Sequence, residues 1–214
     1  MRQAPGSDIS SSGEGELMHS TIDLAAAALL VIDVQNGFVN EGSAPAVPVI
    51  VDLVAAWSAT NRPTVFTRYR NYPNSPWERL LGWRALHGPP ETDLIDELVP
   101  FTARPKSHLL EKTVYTALTA DGSKLIGALG VCDLIICGIA TDACVLKTAL
   151  DAFERGYVPW VVRDAVASNA TRHSAQQMHD SALLHLARLI GENQLVTAAQ
   201  VTRLTRSTAN PDRR

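Results

Sequence analysis

Residues 133–155 read DLIICGIATDACVLKTALDAFER, and the order of residue types in that stretch decides the fold. Asp133-Leu-Ile-Ile opens a short apolar run of the kind carried by a strand buried on both faces. Leu146 to Arg155 carry instead the spacing of an amphipathic helix. Between the two, CGIATDACV (137–145) is the handover from strand to helix, which puts Cys144 in the first turn of a helix. A thiol there faces orphan backbone N–H groups and the positive end of the macrodipole, which favour a thiolate and any oxyanion formed beside it. Cys144 is therefore the candidate nucleophile. Asp142 reads as the N-cap of that helix, Thr141 as a backbone-bonding turn residue, and Cys137 and Cys132 as core residues of the strand.

Outward from this stretch, strand-like runs at about 25–33, 63–68, 106–110, 131–138, 157–162 and 194–197 alternate with helical segments at about 46–60, 116–129, 143–155 and 171–190. Such alternation implies an α/β domain, a doubly wound parallel sheet with helices on both faces. The last long helix has Ser168 or Asn169 as its cap, Gly191 just past its end, and Leu183, Leu184, Leu186 and Leu189 as its apolar side, with His179 a structural residue. The first apolar run, Ala25 to Ile32, stops abruptly at Asp33, and Lys112 follows the short apolar segment Ser107 to Leu110. Ligands of an open parallel sheet bind in the crevice beyond the carboxyl ends of its strands, and Asp33, Lys112 and Cys144 all fall there. A charge at the end of a buried strand needs a partner or a job.

Composition bounds the function. The chain has 214 residues, 46% of them hydrophobic, and a net charge of −3. That suits one domain with a substantial core, without the basic excess that nucleic acid or an anionic membrane favours. Apolar runs stay below the roughly 18 residues a membrane span requires, and the N-terminus lacks a positive-then-apolar leader, so a cytoplasmic location is expected. Three cysteines argue against a disulfide framework. Residues 1–20, rich in Ser, Gly and Glu, read as a flexible extension with Met18 a second possible start, residues 21–206 as the domain, and 207–214 as a flexible tail. The segment from Tyr69 to Pro105 is too long for a plain connection and reads as a pocket rim. Its Trp77 and Trp83, with Phe38 and Tyr115, are candidate substrate-binding residues, and Arg70 is a candidate clamp for a substrate carboxylate, although a solvated arginine face is the plainer reading of Arg68 and Arg70. A noncatalytic nucleotide- or flavin-binding module is the alternative from another class. Neither G-x-G-x-x-G nor G-x-x-x-x-G-K-[ST] follows any expected strand, so the phosphate cradle is missing and no cofactor is expected.

DVQNGF (33–38), KTVYTAL (112–118) and CGIATDACVLKTALDAFERGYVPWVVRDAVAS (137–168), in that order, resemble the isochorismatase-like cysteine hydrolase superfamily. That superfamily includes nicotinamidases, N-carbamoylsarcosine amidohydrolases, ureidoacrylate and biuret hydrolases, and isochorismatases proper. The resemblance implies a three-layer α-β-α fold around a six-stranded parallel sheet, and a catalytic triad of Asp33, Lys112 and Cys144. It also implies a cis peptide between Ile139 and Ala140, an oxyanion hole from the backbone N–H groups of Ala140 and Cys144, and a homo-oligomer, dimer or tetramer. Nicotinamidases carry Asp-x-His and a second histidine after their second strand to bind a metal. FTRYRNYPNSPWERL (66–80) has no histidine, and His87 and His108 stand apart, so no metal is expected and nicotinamide is not favoured. Where the family often has Ser-Ala-Phe this chain has Thr116-Ala117-Leu118, which keeps hydroxyl and apolar character. Isochorismatases proper cleave a vinyl ether without relying on the cysteine. A well-placed Cys144 thus points to C–N hydrolysis of a small amide, carbamoyl or ureido compound through a thioester, with vinyl ether hydrolysis as the alternative.

Overall fold

Six consecutive apolar residues, AALLVI, form β1 (Ala27–Ile32), and all six are buried. The structure is a computed structural model that describes residues 21–209, and it shows β1 flanked by strands on both sides with helices over both faces. Successive strand residues point to opposite faces. Ala27, Leu29 and Val31 accordingly pack with Ile50, Leu53, Val54 and Trp57 of α1 (Val47–Ser58). Ala28, Leu30 and Ile32 pack on the other face with Ile126 of α4 (Ala120–Leu129), Ala149 and Ala152 of α5 (Leu146–Glu154) and Leu186 of α6 (Ala175–Ile190).

The remaining strands are β2 (Thr64–Tyr69), β3 (Ser107–Lys112), β4 (Asp133–Ile139), β5 (Val158–Ala167) and β6 (Leu195–Val196). Among the described residues they form one six-stranded sheet in the order β3-β2-β1-β4-β5-β6, with every pairing parallel. Short helices α2 (Pro76–Leu81) and α3 (Val99–Thr102) interrupt the long segment after β2, and α7 (Ala198–Ala209) closes the chain against α1. The chain runs from β1 outward to one edge through β2 and β3, then returns to β4 on the other side. A crevice opens where that direction reverses, beyond the ends of β1 and β4. Gly138 makes the two strand ends meet. Its φ is +121°, and a Cβ there would lie 2.1 Å from the carbonyl oxygen of Ile32.

Several boundaries differ from expectation, each for a local reason. The helix expected from 116 starts at Ala120, because Thr119 caps it by accepting from the Gly122 N–H. The helix expected from 171 starts at Ala175 with Ser174 as its cap, so neither Ser168 nor Asn169 serves, whereas Gly191 does end it. Its buried side is Ala182, Leu186 and Ile190, while Leu184 and Leu189 are exposed. β5 runs on past residue 162 to Ala167. Helix α7 was not expected and extends to Ala209, into the stretch read as tail. Cys132, expected in the core, is exposed, because β4 begins one residue after it. The extension at 1–20, with Met18, and residues 210–214 lie outside the described residues. Among those described, no helix is long and apolar enough to cross a membrane.

Candidate active site

β1 ends at Ile32, and the next residue takes a left-handed backbone conformation, φ 47° at Asp33, which turns its side chain into the crevice. Aspartate and asparagine tolerate that conformation better than most L-residues. The Asp33 N–H donates to Thr67 Oγ1 at 3.0 Å, and the Thr67 hydroxyl donates back to Asp33 Oδ1 at 2.6 Å. The other carboxylate oxygen, Oδ2, accepts from Lys112 Nζ at 2.5 Å, and neither side chain has any exposed surface. Lys112 is the last residue of β3. Its ammonium also donates to the carbonyls of Val114 and Tyr115, each at 3.0 Å, and lies 3.6 Å from Cys144 Sγ. Burial favours the neutral amine, but the Asp33 carboxylate and Cys144 outweigh it and push the Lys112 pKa up, so the side chain stays charged.

Cys144 sits in a single π-turn, Thr141–Val145, that joins β4 to α5. It is 5% exposed, and burial above all, then the charge of Asp33, pushes its thiol pKa far up against the opposing pull of Lys112. Desolvation of the anion and the carboxylate beside it thus favour the thiol and act against the thiolate expected from the helix terminus. The Ile139–Ala140 peptide is cis, Ile139 is buried in the sheet, and Ala140 and Cys144 both line the cavity described next. Ala140, not Asp142, occupies the N-cap position, and Asp142 Oδ1 is buried without a hydrogen-bond partner. Thr141 bonds a side chain rather than backbone: its Oγ1 is 2.9 Å from Nδ1 of His179 on α6, whose pKa is lowered by burial.

The sulfur opens onto a cavity of about 200 Å³. Larger hollows exist, including one of about 620 Å³ beside Phe153 and Ile190 at the opposite end of the sheet, but it holds none of these three side chains. Phe38, Trp77, Trp83 and Tyr115 line the cavity beside Cys144, joined by Tyr69, Leu81 and Asn169. Phe38 and Trp83 stack at 6.1 Å with their planes 10° apart, and Trp77 meets both Tyr69 and Tyr115 edge-on at 5.5 Å. Arg70 is not among the lining residues; it is exposed and donates to the carbonyl of His87 at 3.2 Å, while Arg68 pairs with Glu111 on β3. The rim is tied down by two buried amides. Gln35 Nε2 donates to the carbonyls of Tyr69 and Thr92, and its Oε1 accepts from the Tyr69 N–H. Asn71 Nδ2 donates to the carbonyls of Trp83 and Ala85, and its Oδ1 accepts from Ser75 Oγ and the Tyr72 N–H. Among the described residues no group of three His, Cys, Asp or Glu is placed to hold a metal ion.

The isochorismatase domain matches residues 27–196 of this sequence. The chain belongs to the isochorismatase family. Two relatives are a nicotinamidase, nicotinamidase 3 of Arabidopsis thaliana, 28% identical over 75% of this chain and 80% of its own length, and ureidoacrylate amidohydrolase RutB of Methylobacterium radiotolerans, 27% identical over 79% and 76%. A cysteine hydrolase from Pseudomonas syringae pv. phaseolicola shares the fold, with a TM-score of 0.76 at 22% identity over 87% of this chain and 95% of that one. The expected six-stranded α/β architecture is thus the isochorismatase-family fold. Thr67, Tyr69, Gln35 and Asn71 were not singled out in the sequence, and Asn169 was read only as a helix cap. Tyr69 closes the second strand and Asn169 lies two residues past the end of the fifth, at the same end as Asp33 and Lys112, and that shared position is the signal that identifies them.

Proposed function

We propose that the protein hydrolyses a C–N bond of a small amide, carbamoyl or ureido compound through a thioester on Cys144. The observation that carries this reading is one ammonium, Lys112 Nζ, lying 2.5 Å from a buried carboxylate and 3.6 Å from a sulfur at a cavity wall. In the empty site the thiol keeps its proton. As Sγ attacks the substrate carbon, Asp33 takes that proton and the C–S bond forms; the carbonyl π pair moves onto oxygen, held by the Ala140 and Cys144 amides. Collapse expels the nitrogen, which receives the proton from Asp33 and leaves as ammonia or amine. Asp33 then deprotonates a water that attacks the thioester carbon, the C–S bond breaks as the adduct collapses to the acid product, and the sulfur that leaves takes the proton back from the carboxyl. Lys112 stays charged throughout and offsets negative charge as it passes between carboxylate and sulfur.

Leu81 and Tyr115 line the cavity and, with their chain neighbours Leu80 and Val114, expose apolar surface, which supports a homo-oligomer that covers it. The test of function is a panel of primary amides, carbamoyl amino acids and ureides assayed for ammonia. Intact-mass detection of an acyl adduct should accompany it, with the parent beside Cys144→Ala. Ammonia release by the parent and none by the variant is expected. Cleavage of a vinyl ether substrate that survives Cys144→Ala would replace this reading with the ether-hydrolase one.

A further inference from the structure

Within that reading, we propose that the substrate's acyl group is uncharged, apolar and about the size of one six-membered ring, and that carboxylate-bearing carbamoyl and ureido acids are excluded. The cavity's walls are the first ground. Phe38 stacks on Trp83, and Trp77 stands edge-on to Tyr69 and Tyr115, so a bound group meets ring faces and edges on most sides. Such walls offer few hydrogen-bond donors to replace the hydration a carboxylate gives up on entering.

The cations are the second ground. Lys112 is fully buried and is not among the lining residues, and its ammonium is already engaged by Asp33, the carbonyls of Val114 and Tyr115, and Cys144 Sγ. Arg70 is turned to the His87 carbonyl and Arg68 to Glu111. Asn169, the lining amide, is neutral and donates one of its two Nδ2 hydrogens to the Phe38 carbonyl at 3.2 Å. Among the described residues, none of those lining this cavity is cationic, so a carboxylate carried into it meets no charged donor on the walls, and an unpaired buried anion is heavily penalised. Size is the third ground. A dry cavity of roughly 150 Å³ accommodates benzene, and this one, at about 200 Å³, takes a ring plus a carboxamide directed at Sγ.

The discriminating pair is benzamide and 4-carbamoylbenzoate, the same ring with and without a carboxylate. Binding to the Cys144→Ala protein is read by quenching of Trp77 and Trp83, which line the cavity, so the measurement does not depend on turnover. Benzamide should bind roughly 100-fold more tightly or better, and in the parent the same ratio should appear in kcat/KM for ammonia release. Leu81→Arg, which adds a guanidinium at an exposed position of the cavity lining, should narrow the benzamide-to-acid affinity ratio at least tenfold. Equal affinities, tighter binding of the acid, or no binding of benzamide would each overturn the proposal. Preferred hydrolysis of the acid would sink it while leaving amide hydrolysis intact. The reverse case, discriminating binding with neither ammonia nor acyl adduct, would sustain the cavity's selectivity and remove the hydrolase reading.

Discussion

Replacing Asp33 by asparagine separates charge from shape at the centre of the site. Asparagine tolerates the φ of 47° found there and can still accept from the Thr67 hydroxyl, so backbone and packing are kept. What is lost is the partner of a fully buried ammonium. Breaking a buried pair from one side costs about 3–5 kcal/mol. The loss has a ceiling, because the site can shed a proton instead. With the ordinary lysine pKa near 10.4 and 1.36 kcal/mol per unit, neutralising Lys112 costs about 4.6 kcal/mol at pH 7 and about 1.9 kcal/mol at pH 9. In the parent the Lys112 pKa is raised, so its stabilisation is complete below the ordinary amine range and disappears only as pH climbs through the higher folded value. In the variant the Asp33 charge is gone and burial, the largest influence on the amine, is opposed only by Cys144, so the amine is depressed, the penalty is largest at low pH and it is relieved as pH rises. If Cys144 gives up the proton in place of Lys112, the sign is the same. Urea unfolding of both proteins at pH 7 and pH 9 should therefore show a gap of about 3–4.6 kcal/mol that shrinks to about 2 or less, with turnover lowered by two to four orders of magnitude at pH 7. Adding Lys112→Met to the variant should recover most of the lost stability. A gap that is flat or widens with pH, or a variant as stable as the parent at pH 7, would refute the electrostatic account.

Iodoacetamide should modify the exposed Cys132 first. Modification of Cys144 should accelerate at least tenfold between pH 7 and pH 9, because burial and Asp33 hold its thiol protonated and thiolate accumulates as pH rises; mass spectrometry of tryptic peptides reads the order, and fast labelling of Cys144 at pH 6 would contradict it. Gly138→Ala should cost at least about 3 kcal/mol in thermal or urea unfolding, since the new Cβ meets the Ile32 backbone at 2.1 Å and φ is +121°. Asn71→Ala should raise KM about tenfold with kcat changed far less, because the segment bearing Trp77 and Trp83 loses its anchor while Asp33, Lys112 and Cys144 keep theirs; a fall in kcat at unchanged KM would count against that division.

The central strands were legible because burial on both faces leaves an unbroken apolar run, as in AALLVI and LII before Cys137. Helix starts were less so. Thr116 to Leu118 look helical, yet the Ala117 N–H goes to Thr148 Oγ1 and Thr116 Oγ1 accepts from the Leu118 N–H, which shapes the loop after Lys112. Two of the three unexpected helices had capping signals: Ser75 and Glu78 for α2, and Thr197 and Gln200, which bond each other's backbone N–H groups, for α7, whereas α3 has no side-chain cap. Leu184 and Leu189 misled because leucine content was read without fixing which side of α6 meets the sheet. Asp33, Lys112 and Cys144 stood out because each breaks or closes an apolar run. Thr67 and Gln35 did not, since what defines them is a hydrogen bond to a residue 34 positions away.

The protonated, enclosed state of the Cys144 sulfur has a consequence for durability. Hydrogen peroxide attacks thiolates far faster than thiols, and the first product, a sulfenic acid, needs room and access to form. Under the proposed mechanism a sulfur that keeps its proton until substrate binds would be passed over by oxidants, and the exposed Cys132 would be modified first.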